Sequence, residues 1–400
     1  MSFLYKLSKL CRFIFIFVLA AFCSVIPKNK KVWVFGAWFG NSFSDNPKYL
    51  YLYVKENKKN IKTVWIYKNK KNDLLSNDIN RYDILAYHYM SLKGIYYQIV
   101  ASVVFVSHSV SSDLNPLFIS FRTKRFQLWH GTPLKKIGYD DDFQSFKLKK
   151  NIFYKLLTNE FYDYVISTSE KVSTIFSTAF DMKTSKIIKL GYPRNDVFLK
   201  KYKDDASGIV KVIYMPTYRK KINKWEDILC AKLGFDFNDI NGFLSDNNIY
   251  LSLRLHPANT AGTDFQKLVN SYSNISLSNE SDIYEVINQY DCLITDYSSI
   301  MFDFVLSGKP VIFYPYDKEQ YLKTERGMYF NYDDIISGGF VVDSWRDIMN
   351  VLNDIKERKK IATDNSFLSG FNDEILQNNT SCYSELLCEF VMEKIKFSDV

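Results

Sequence analysis

The sequence predicts an α/β protein with two Rossmann-like domains, and two features of the chain carry this prediction. Short runs of β-branched and aromatic residues recur along its 400 residues, and stretches of helical length separate most of them. This alternation is typical of a parallel, doubly wound sheet. The polar stretch "KKYKDDASG" at 200–208 divides the runs into two series. Because 400 residues exceed one ordinary hydrophobic core, each series is expected to form its own domain.

Seven runs form the first series of predicted strands, and five form the second. The first series lies at 31–38, 63–68, 82–87, 103–108, 125–129, 163–168 and 186–191. The second lies at 209–216, 248–257, 291–295, 309–314 and 338–343. We therefore expect an N-terminal domain over 31–206 and a C-terminal domain over 207–400 that face each other across a cleft, preceded by a separate segment over 1–30.

Charge and cysteine content exclude some classes of partner. The net charge is +8, but six basic and no acidic residues lie within the first 31, so the remainder has 46 basic against 44 acidic residues. A nearly neutral body does not favour nucleic acid as a partner. The six cysteines form no CxxC pair, which indicates free thiols in a reducing compartment and predicts no structural zinc site.

The N-terminal stretch "FIFIFVLAAFCSVI" at 13–26 is almost wholly apolar and has basic residues on both sides. As a helix it would reach about 21 Å, less than the roughly 30 Å of a bilayer's hydrocarbon core. A signal peptide, a helix lying in the membrane interface and a core helix are the three interpretations. Phe22 stands where a lipoprotein signal needs a small residue before Cys23. The flanking basic residues favour docking onto an anionic cytoplasmic leaflet.

The predicted strand at 125–129 ends abruptly at "HGTP", which begins with His130. A strand that stops in a Gly/Pro turn places its last side chains at the carboxyl edge of the sheet, where open α/β sheets bind ligands. His130 can meet a substrate there. The alternative is a half-buried histidine bonded to a backbone carbonyl.

Two motifs of the second series place polar groups at strand ends in the same way. In "IYLSLRLHP" apolar and polar residues alternate, and His256 ends the run, although a polar face that simply meets water would look the same. In "DCLITDYSSIMFDFVLSGKPVIFYPYD" at 291–317, Asp296 begins the turn, and Ser298 or Ser299 can begin a helix. Hydroxyls and free N–H groups at a helix start form a cradle for an anion; a plain serine cap is the alternative.

Three arginines also follow predicted strands: Arg194 in "GYPRND", Arg219 in "MPTYRKK" and Arg326 in "TERGMYF". The planar guanidinium donates hydrogen bonds in pairs and suits phosphate, although each could also be a surface charge. The chain contains no P-loop, no GxGxxG after a strand, no HExxH and no GxSxG. His88 and His108 match no motif and are interpreted as structural.

In this order, "WHGTPLK", "GYPRND", "PTYR", "LHP" and "LITDYSSIMFDF…KPVIFYPYD" resemble the CDP-glycerol glycerophosphotransferases that build teichoic acids and related capsular polymers. "SDNPKYLYLY" at 44–53 is similar to the start of the family's shorter, membrane-associated members. The resemblance covers about 31–385. It implies a glycosyltransferase-B arrangement of the two domains, peripheral attachment to the cytoplasmic face of the cell membrane, and transfer of glycerol phosphate from CDP-glycerol with release of CMP.

The resemblance also implies roles for residues. It makes His130 the general base on an acceptor hydroxyl, carried by the N-terminal acceptor domain, and places His256 at the donor's diphosphate in the C-terminal CDP-glycerol-binding domain. A neutral imidazole with an ordinary pKa of ~6.5 can take a proton at physiological pH. The acceptor is expected to be a lipid-linked saccharide or a polyol phosphate.

Charge on the phosphoryl oxygens must be stabilised during such a transfer. Arg219, Ser298, Ser299 and Arg326 are the expected groups, and Arg194 is a further candidate. Asp296 orients a histidine or a ribose hydroxyl, or only supports its turn. No essential metal is predicted, although Mg²⁺ can accompany the diphosphate.

Three other functions stay open. The donor can be CDP-ribitol or another activated polyol phosphate. A glycosyltransferase-B sugar transferase would instead release a nucleoside diphosphate. A non-catalytic, membrane-bound scaffold would show no turnover, although the two strand-end histidines and the serine pair argue against this role.

Overall fold

The computed structural model describes residues 18–19, 21–69, 73–141, 161–199, 208–217, 219, 229, 233–255, 263–324, 327–357, 370–371 and 382–396. The chain divides into two compact units. The first unit is made by Met1–His130, Ile137–Asp196 and Asp373–Val400, and the second by Gly131–Lys136 and Val197–Asn372. The second unit therefore includes a short piece of chain from within the first half of the sequence.

The described part of the first unit contains a seven-stranded parallel sheet. Its strands are β1 (Asn29–Gly36), β2 (Lys62–Tyr67), β3 (Ala86–His88), β4 (Ala101–Val106), β5 (Lys124–Gln127), β6 (Tyr164–Ser167) and β7 (Ile187–Lys189). They lie in the order β3-β2-β1-β4-β5-β6-β7. The order changes direction between β1 and β4, which is the Rossmann-type switch point where such sheets bind ligands.

Helices accompany this sheet between its strands and at the end of the chain. They are Asp45–Asn57, Asp73–Arg81, Leu92–Val100, Val110–Asp113, Glu170–Ala179 and Tyr383–Lys394, with shorter 3₁₀ turns at Trp38–Gly40, Pro116–Phe118, Gly138–Asp140, Thr184–Lys186 and Pro193–Leu199. The N-cap side chains of Ser91, Ser109 and Ser169 each accept a hydrogen bond from the first turn of the helix that follows.

Strand β1 shows why the sheet is covered on both faces. Trp33 and Phe35 belong to one buried cluster, and the alternate residues Val32 and Val34 belong to another. Successive side chains of a strand point to opposite faces, so a strand that is apolar at every position must be buried on both sides. This is the pattern of a parallel sheet between two helical layers.

The described part of the second unit contains a six-stranded parallel sheet. Its strands are β8 (Val210–Met215), β9 (Ile249–Leu253), β10 (Ile275–Leu277), β11 (Cys292–Thr295), β12 (Val311–Phe313) and β13 (Phe340–Val341). Their order is β10-β9-β8-β11-β12-β13, with the switch point between β8 and β11. The helices are Phe237–Asp246, Thr263–Asn270, Ile300–Phe304, Lys318–Thr324, Tyr332–Ile336 and Trp345–Lys356, and 3₁₀ turns lie at Ile283–Glu285, Ile287–Gln289 and Val305–Ser307.

The two parallel sheets confirm the predicted pair of Rossmann-like domains. Each of the twelve predicted runs overlaps an observed strand. The sequence analysis missed β10, because its three residues include the polar Ser276 and are too few to show an alternating pattern.

The predicted limits of 1–30, 31–206 and 207–400 differ from the observed units, whose first unit begins at Met1 and whose main boundary lies after Asp196. Two further differences concern short pieces of chain. Gly131–Lys136 belongs to the second unit, and the C-terminal helix Tyr383–Lys394 belongs to the first. Leu387, Cys388 and Val391 of that helix are buried in the same cluster as the β1 side chains Trp33 and Phe35.

Polar contacts also hold the C-terminal helix in the first unit. The carboxylate of Asp196 accepts hydrogen bonds from the backbone N–H groups of Tyr383 (2.7 Å) and Ser384 (3.1 Å). Gly191 has a φ of +76°, and a Cβ there would lie 2.3 Å from the Tyr383 ring. The helix therefore depends on a glycine about 190 residues earlier in the chain, a relation that no local pattern can reveal.

The N-terminal helical residues at 21–25 contact the first unit on one face only. Cys23 is buried, and Lys28 Nζ donates hydrogen bonds to the carbonyls of Cys23 (2.8 Å) and Ile99 (2.5 Å). Phe22 and Val25 are exposed. In the ranges that the structure describes, no helix has both the length and the apolar character needed to cross a bilayer.

Replacing Gly191 with alanine tests the docking of the C-terminal helix. We expect Gly191→Ala to lower the free energy of unfolding by about 2–5 kcal/mol. This is the sum of two costs, the strain of an alanine in the left-handed region and the clash of its Cβ with the Tyr383 ring. Gly208 is a matched control, since its φ is +68° but nothing lies within 4 Å of its added Cβ. Gly208→Ala should therefore lower the free energy of unfolding by only about 1–2 kcal/mol, as measured by urea unfolding. Equal losses for the two variants would contradict the docking.

Candidate functional site

The carboxyl ends of the central strands carry most of the polar side chains that the sequence analysis selected. In the first unit, His130 follows β5, and Ser107 and His108 follow β4. In the second unit, Arg219 follows β8, and Asp296 follows β11. These are the edges at which open parallel sheets bind their ligands. Each unit therefore has one candidate site at its own switch point.

His130 is half-buried and is bonded to a backbone carbonyl. Its Nδ1 lies 2.9 Å from the carbonyl oxygen of Ser107. A carbonyl can only accept, so Nδ1 carries a proton, and in the neutral imidazole the lone pair is then on Nε2. This bond to a backbone carbonyl is the contact expected of a structural histidine. It also places a proton on Nδ1, as a general base that acts through Nε2 requires.

Hydrogen bonds from side chains to backbone carbonyls fix the turn that carries His130. Asn46 Nδ2 donates to the carbonyls of Leu128 (3.1 Å) and Trp129 (3.0 Å). Arg194 Nη1 donates to the carbonyl of His130 (2.9 Å). Trp129 has a φ of 55°, in the left-handed region that non-glycine residues rarely adopt. The turn is therefore strained locally and held by side chains from elsewhere in the unit.

Arg194 is buried and paired, so its position differs from that of a substrate ligand. Its exposed fraction is 4%, and its Nη1 lies 2.8 Å from Asp45 Oδ1. Asp45 Oδ2 accepts from the indole N–H of Trp38 at 3.1 Å. In this structure Arg194 supports the His130 turn and balances the charge of Asp45.

Strained and exposed aromatic residues surround His130. Trp38 and Phe39 have φ values of 46° and 59°, and Asp45 has 66°. Such conformations cost about 1–3 kcal/mol each and persist where the surrounding structure enforces them. Trp38 and Phe39 are nevertheless 40% and 50% exposed. Two large rings held in strained conformations at the edge of the sheet indicate a binding surface rather than core packing.

His108 is a site residue that the sequence analysis missed. Its ring stacks on that of His130, with centroids 4.2 Å apart and planes 11° from parallel. Burial and, to a smaller extent, the neighbouring His130 lower the pKa of His108 to about 3. His108 lies two residues after the end of β4, which pairs with β5. Its place at a strand end was the available signal, but it lies in none of the quoted motifs.

In the second unit, Asp296 joins the loops that follow β8 and β11. Its Oδ1 accepts from the backbone N–H (2.8 Å) and hydroxyl (2.6 Å) of Thr217 and from the backbone N–H of Tyr297 (2.6 Å). Its Oδ2 accepts from Arg219 Nη2 at 2.9 Å. Asp296 is fully buried. These contacts match the predicted alternative in which Asp296 supports the turn.

Arg219 is enclosed by carboxylates and aromatic rings. Besides Asp296, it donates two hydrogen bonds to Asp317, at 2.8 and 2.9 Å, and one to the carbonyl of Thr217. Four of the five N–H groups of the guanidinium are thus used within the protein. Although burial opposes the charge, Asp296 and Asp317 raise the pKa of Arg219. This geometry makes Arg219 a support of the switch point in this structure.

Ser298 and Ser299 lie where the sequence predicted a helix start, but they do not act as a side-chain cap. Ser299 precedes the helix Ile300–Phe304 and makes no capping hydrogen bond. Both serines are half-buried. The plain-cap alternative required a serine side chain that accepts a hydrogen bond from the first turn of the helix, and Ser299 makes no such bond.

His256 and Arg326 lie outside the described residues, and the chain is described on one side of each, up to Leu255 and from Gly327. Arg254, two residues before His256, donates to Ser278 Oγ (3.1 Å) and to the carbonyl of Glu280 (3.0 Å). Gly327, directly after Arg326, accepts a hydrogen bond from the backbone N–H of Lys136 at 2.7 Å.

The second half of the "HGTPLK" motif belongs to the second unit. Besides the bond to Gly327, the carbonyl of Leu134 accepts from the N–H of Tyr329 (3.0 Å), and Lys135 forms an antiparallel bridge with Met328. Lys135 Nζ lies 5.0 Å from the centre of the Tyr321 ring. The motif and the residue after it thus supply His130 to one unit, and Lys135 and Lys136 to the other. Among the residues searched, which are those that the structure describes, no three His, Cys, Asp or Glu side chains cluster as a metal site would require.

Comparisons with known proteins agree on one family. Residues 18–393 match the family model for CDP-Glycerol:Poly(glycerophosphate) glycerophosphotransferase. The chain is 30% identical over 327 residues to a teichoic acid poly(glycerol phosphate) polymerase of Staphylococcus epidermidis, covering 77% of this chain and 43% of that protein. It is 30% identical over 355 residues to a teichoic acid glycerol-phosphate transferase of Staphylococcus aureus, covering 82% and 85%. A teichoic acid ribitol-phosphate primase of Bacillus spizizenii is 26% identical over 300 residues, covering 69% and 72%.

The chain spans less than half the length of the Staphylococcus epidermidis polymerase. Among solved structures, a variant of the wall teichoic acid polymerase TagF has a TM-score of 0.75 at 23% identity, covering 99% of both chains. This likeness shows the fold, which is of the glycosyltransferase-B-like class with two parallel-sheet domains.

The buried pair of Asp45 and Arg194 generates a stability prediction. We expect Arg194→Met to cost about 3–5 kcal/mol of unfolding free energy, because it leaves the carboxylate of Asp45 buried without its partner. Replacing both, with Asp45→Asn added, should cost clearly less than the sum of the two single changes. The measurement is a double-mutant cycle in urea unfolding. Additive losses would show that the two side chains do not stabilise each other.

Proposed function

The chain belongs to the CDP-glycerol:poly(glycerophosphate) glycerophosphotransferase family, and from this premise we propose its reaction. It transfers glycerol phosphate from CDP-glycerol to a hydroxyl of a lipid-linked saccharide or polyol-phosphate acceptor and releases CMP. The observation that carries the proposal is His130, whose Nδ1–H is bound to the Ser107 carbonyl so that Nε2 can accept a proton. Production of CMP from CDP-glycerol only when an acceptor is present would test it.

The chemistry assigned to His130 is the removal of one proton. The acceptor oxygen attacks the β-phosphorus of CDP-glycerol, the bond from that phosphorus to the CMP oxygen breaks, and Nε2 of His130 takes the hydroxyl proton. A base of this kind contributes typically 10²–10⁴-fold. The hydrogen bond to Ser107 becomes stronger when the imidazole becomes charged, because charge-assisted bonds are the stronger kind.

On the donor side, we propose that His256, Ser298, Ser299 and Arg326 contact the diphosphate. Arg219 and Asp296 hold the turn that presents the serines, since both use most of their hydrogen-bonding capacity within the protein. Arg219, Asp296 and Asp317 together carry a net charge of −1, so this cluster does not neutralise a diphosphate. Positive charge must then come from other groups, such as Arg326 or an accompanying Mg²⁺.

A ribitol donor is the second candidate, because ribitol-phosphate transferases are among the similar proteins. A glycerol and a ribitol donor would share the cytidine diphosphate and differ only in the polyol. Comparing CDP-glycerol with CDP-ribitol as donors, at equal concentration and with one acceptor, distinguishes them.

We further propose that the protein attaches to the cytoplasmic face of the membrane through its N-terminal segment. The support is the exposed apolar side chains of Val18, Phe22 and Val25, which lie close in sequence to a cluster of lysines. A helix with one apolar face and flanking basic residues binds an anionic interface.

His130→Ala is expected to lower kcat by about 10²–10⁴-fold while the dissociation constant of CDP-glycerol stays within about twofold, because the imidazole acts on the acceptor and not on the donor. Initial rates of CMP release and calorimetric titration measure the two quantities. His88→Ala is the control, since His88 ends the edge strand β3 and should keep near-normal turnover. Near-normal turnover of a folded His130→Ala protein would leave His130 a purely structural residue.

The serine pair generates a second prediction. Ser298→Ala and Ser299→Ala should leave the melting temperature nearly unchanged, because neither hydroxyl caps the helix, and should weaken CDP-glycerol binding by about tenfold if the hydroxyls bind the diphosphate. Ser344→Ala is the matched control: Ser344 caps the helix Trp345–Lys356, so that change should cost about 0.5–2 kcal/mol without affecting donor affinity. Unchanged affinity in both serine variants would remove them from the donor site.

A further inference from the structure

Ser107 contacts both stacked histidines, His108 through its hydroxyl and His130 through its carbonyl. Its backbone N–H donates to Asp113 Oδ2 at 2.9 Å, and its carbonyl accepts from His130 Nδ1 at 2.9 Å. Its hydroxyl oxygen lies 3.2 Å from the backbone nitrogen of Trp38 and 3.0 Å from His108 Nδ1. Both imidazoles are therefore anchored through Nδ1 on one residue.

These contacts determine where each ring carries its proton. The Ser107 hydroxyl oxygen accepts from the Trp38 N–H, and among the described residues His108 Nδ1 is the acceptor within reach of its hydrogen, which assigns the donor role to the hydroxyl. A neutral His108 whose Nδ1 accepts carries its proton on Nε2. His130 has the opposite tautomer, because its Nδ1 donates to a carbonyl. The stacked pair therefore presents one nitrogen that accepts, Nε2 of His130, and one that donates, Nε2 of His108.

The surroundings of His108 keep its ring neutral. Burial lowers its pKa to about 3, so the ring is neutral at physiological pH. Among the described residues, the charged groups near the pair include Asp113, whose carboxylate accepts from the backbone N–H of His108, and Arg194, which donates to the His130 carbonyl and pairs with Asp45. The described residues contain no hydrogen-bond partner for Nε2 of His108, and the ring is only half-buried.

We infer that His108 is a second acceptor-binding residue, which donates from Nε2 to the hydroxyl next to the attacking one. The ligand chemistry is a vicinal diol, as at the end of a polyol phosphate or on a sugar ring: one hydroxyl gives its proton to His130, and its neighbour accepts from His108. The stacked rings, 4.2 Å apart, place a donor and an acceptor side by side for two adjacent oxygens. The inference rests on the proposed function and adds the basis of acceptor recognition.

A variant that keeps the stacked ring but removes the donor tests this inference. His108→Phe retains an aromatic face against His130 and has no N–H. Two acceptors are compared with CDP-glycerol as donor: one that ends in glycerol phosphate, and one that ends in 3-hydroxypropyl phosphate, which lacks the middle hydroxyl. We expect the wild-type protein to prefer the diol by about tenfold in kcat/KM, and His108→Phe to lose this preference, so that the ratio of the two kcat/KM values falls to about one.

A preference for the diol that persists in His108→Phe would overturn the inference. This includes an equal loss of rate on both acceptors, which would mean that the ring only packs against His130. His108→Leu, with circular dichroism as the check on folding, serves if the Phe variant does not fold. Absence of CMP release by the wild-type protein with either acceptor would instead refute the proposed function, so the two failures are distinguishable.

Discussion

A buried carboxylate joins the loops that follow the two central strands of each sheet, and the geometry of both candidate sites depends on it. In the first unit, Asp113 accepts from the backbone N–H groups of Phe39, after β1, and of Ser107 and His108, after β4. In the second, Asp296 accepts from Thr217, after β8, and Tyr297, after β11. Burying a carboxylate is costly unless hydrogen bonds compensate it, and these N–H groups would otherwise lack partners at the split between strands. A buried carboxylate thus binds the N–H groups of two loops at both switch points.

The carboxylate of Asp113 also positions the groups around His130. By binding the N–H groups of Ser107 and His108, it orients the Ser107 carbonyl toward His130 and places the His108 ring against it. Burial raises the pKa of Asp113 to about 6, while hydrogen bonds from His108, Phe39 and Ser107 oppose this rise. Around this centre the strained residues Trp38, Phe39 and Trp129 persist because the surrounding contacts determine their positions. Rigid positioning of a base and its neighbours is what a proton transfer needs.

The sequence predicted the parts of this arrangement that local patterns encode. Apolar runs located the strands, and the Gly/Pro turn placed His130 at a sheet edge. What it could not predict depends on partners distant in the chain. Arg194 and Arg219 were expected to bind phosphate because of their chemistry, yet Asp45 and Asp317, about 149 and 98 residues away, bind them in the structure. His108 was interpreted as structural because only the sheet order brings it to His130. The serine turn was placed correctly, but its lack of a cap bond could be seen only in the structure.

The central claim is that phosphorus, and not carbon, is attacked. It is tested most directly by CDP-glycerol labelled with ³²P at the β-phosphorus, incubated with the protein and an acceptor, and separated into nucleotide and acceptor fractions. Attack on the β-phosphorus places the label in the acceptor and leaves the released CMP unlabelled. Labelled CDP together with an unlabelled acceptor product would show cleavage at carbon, as in a sugar transferase, and would contradict this account.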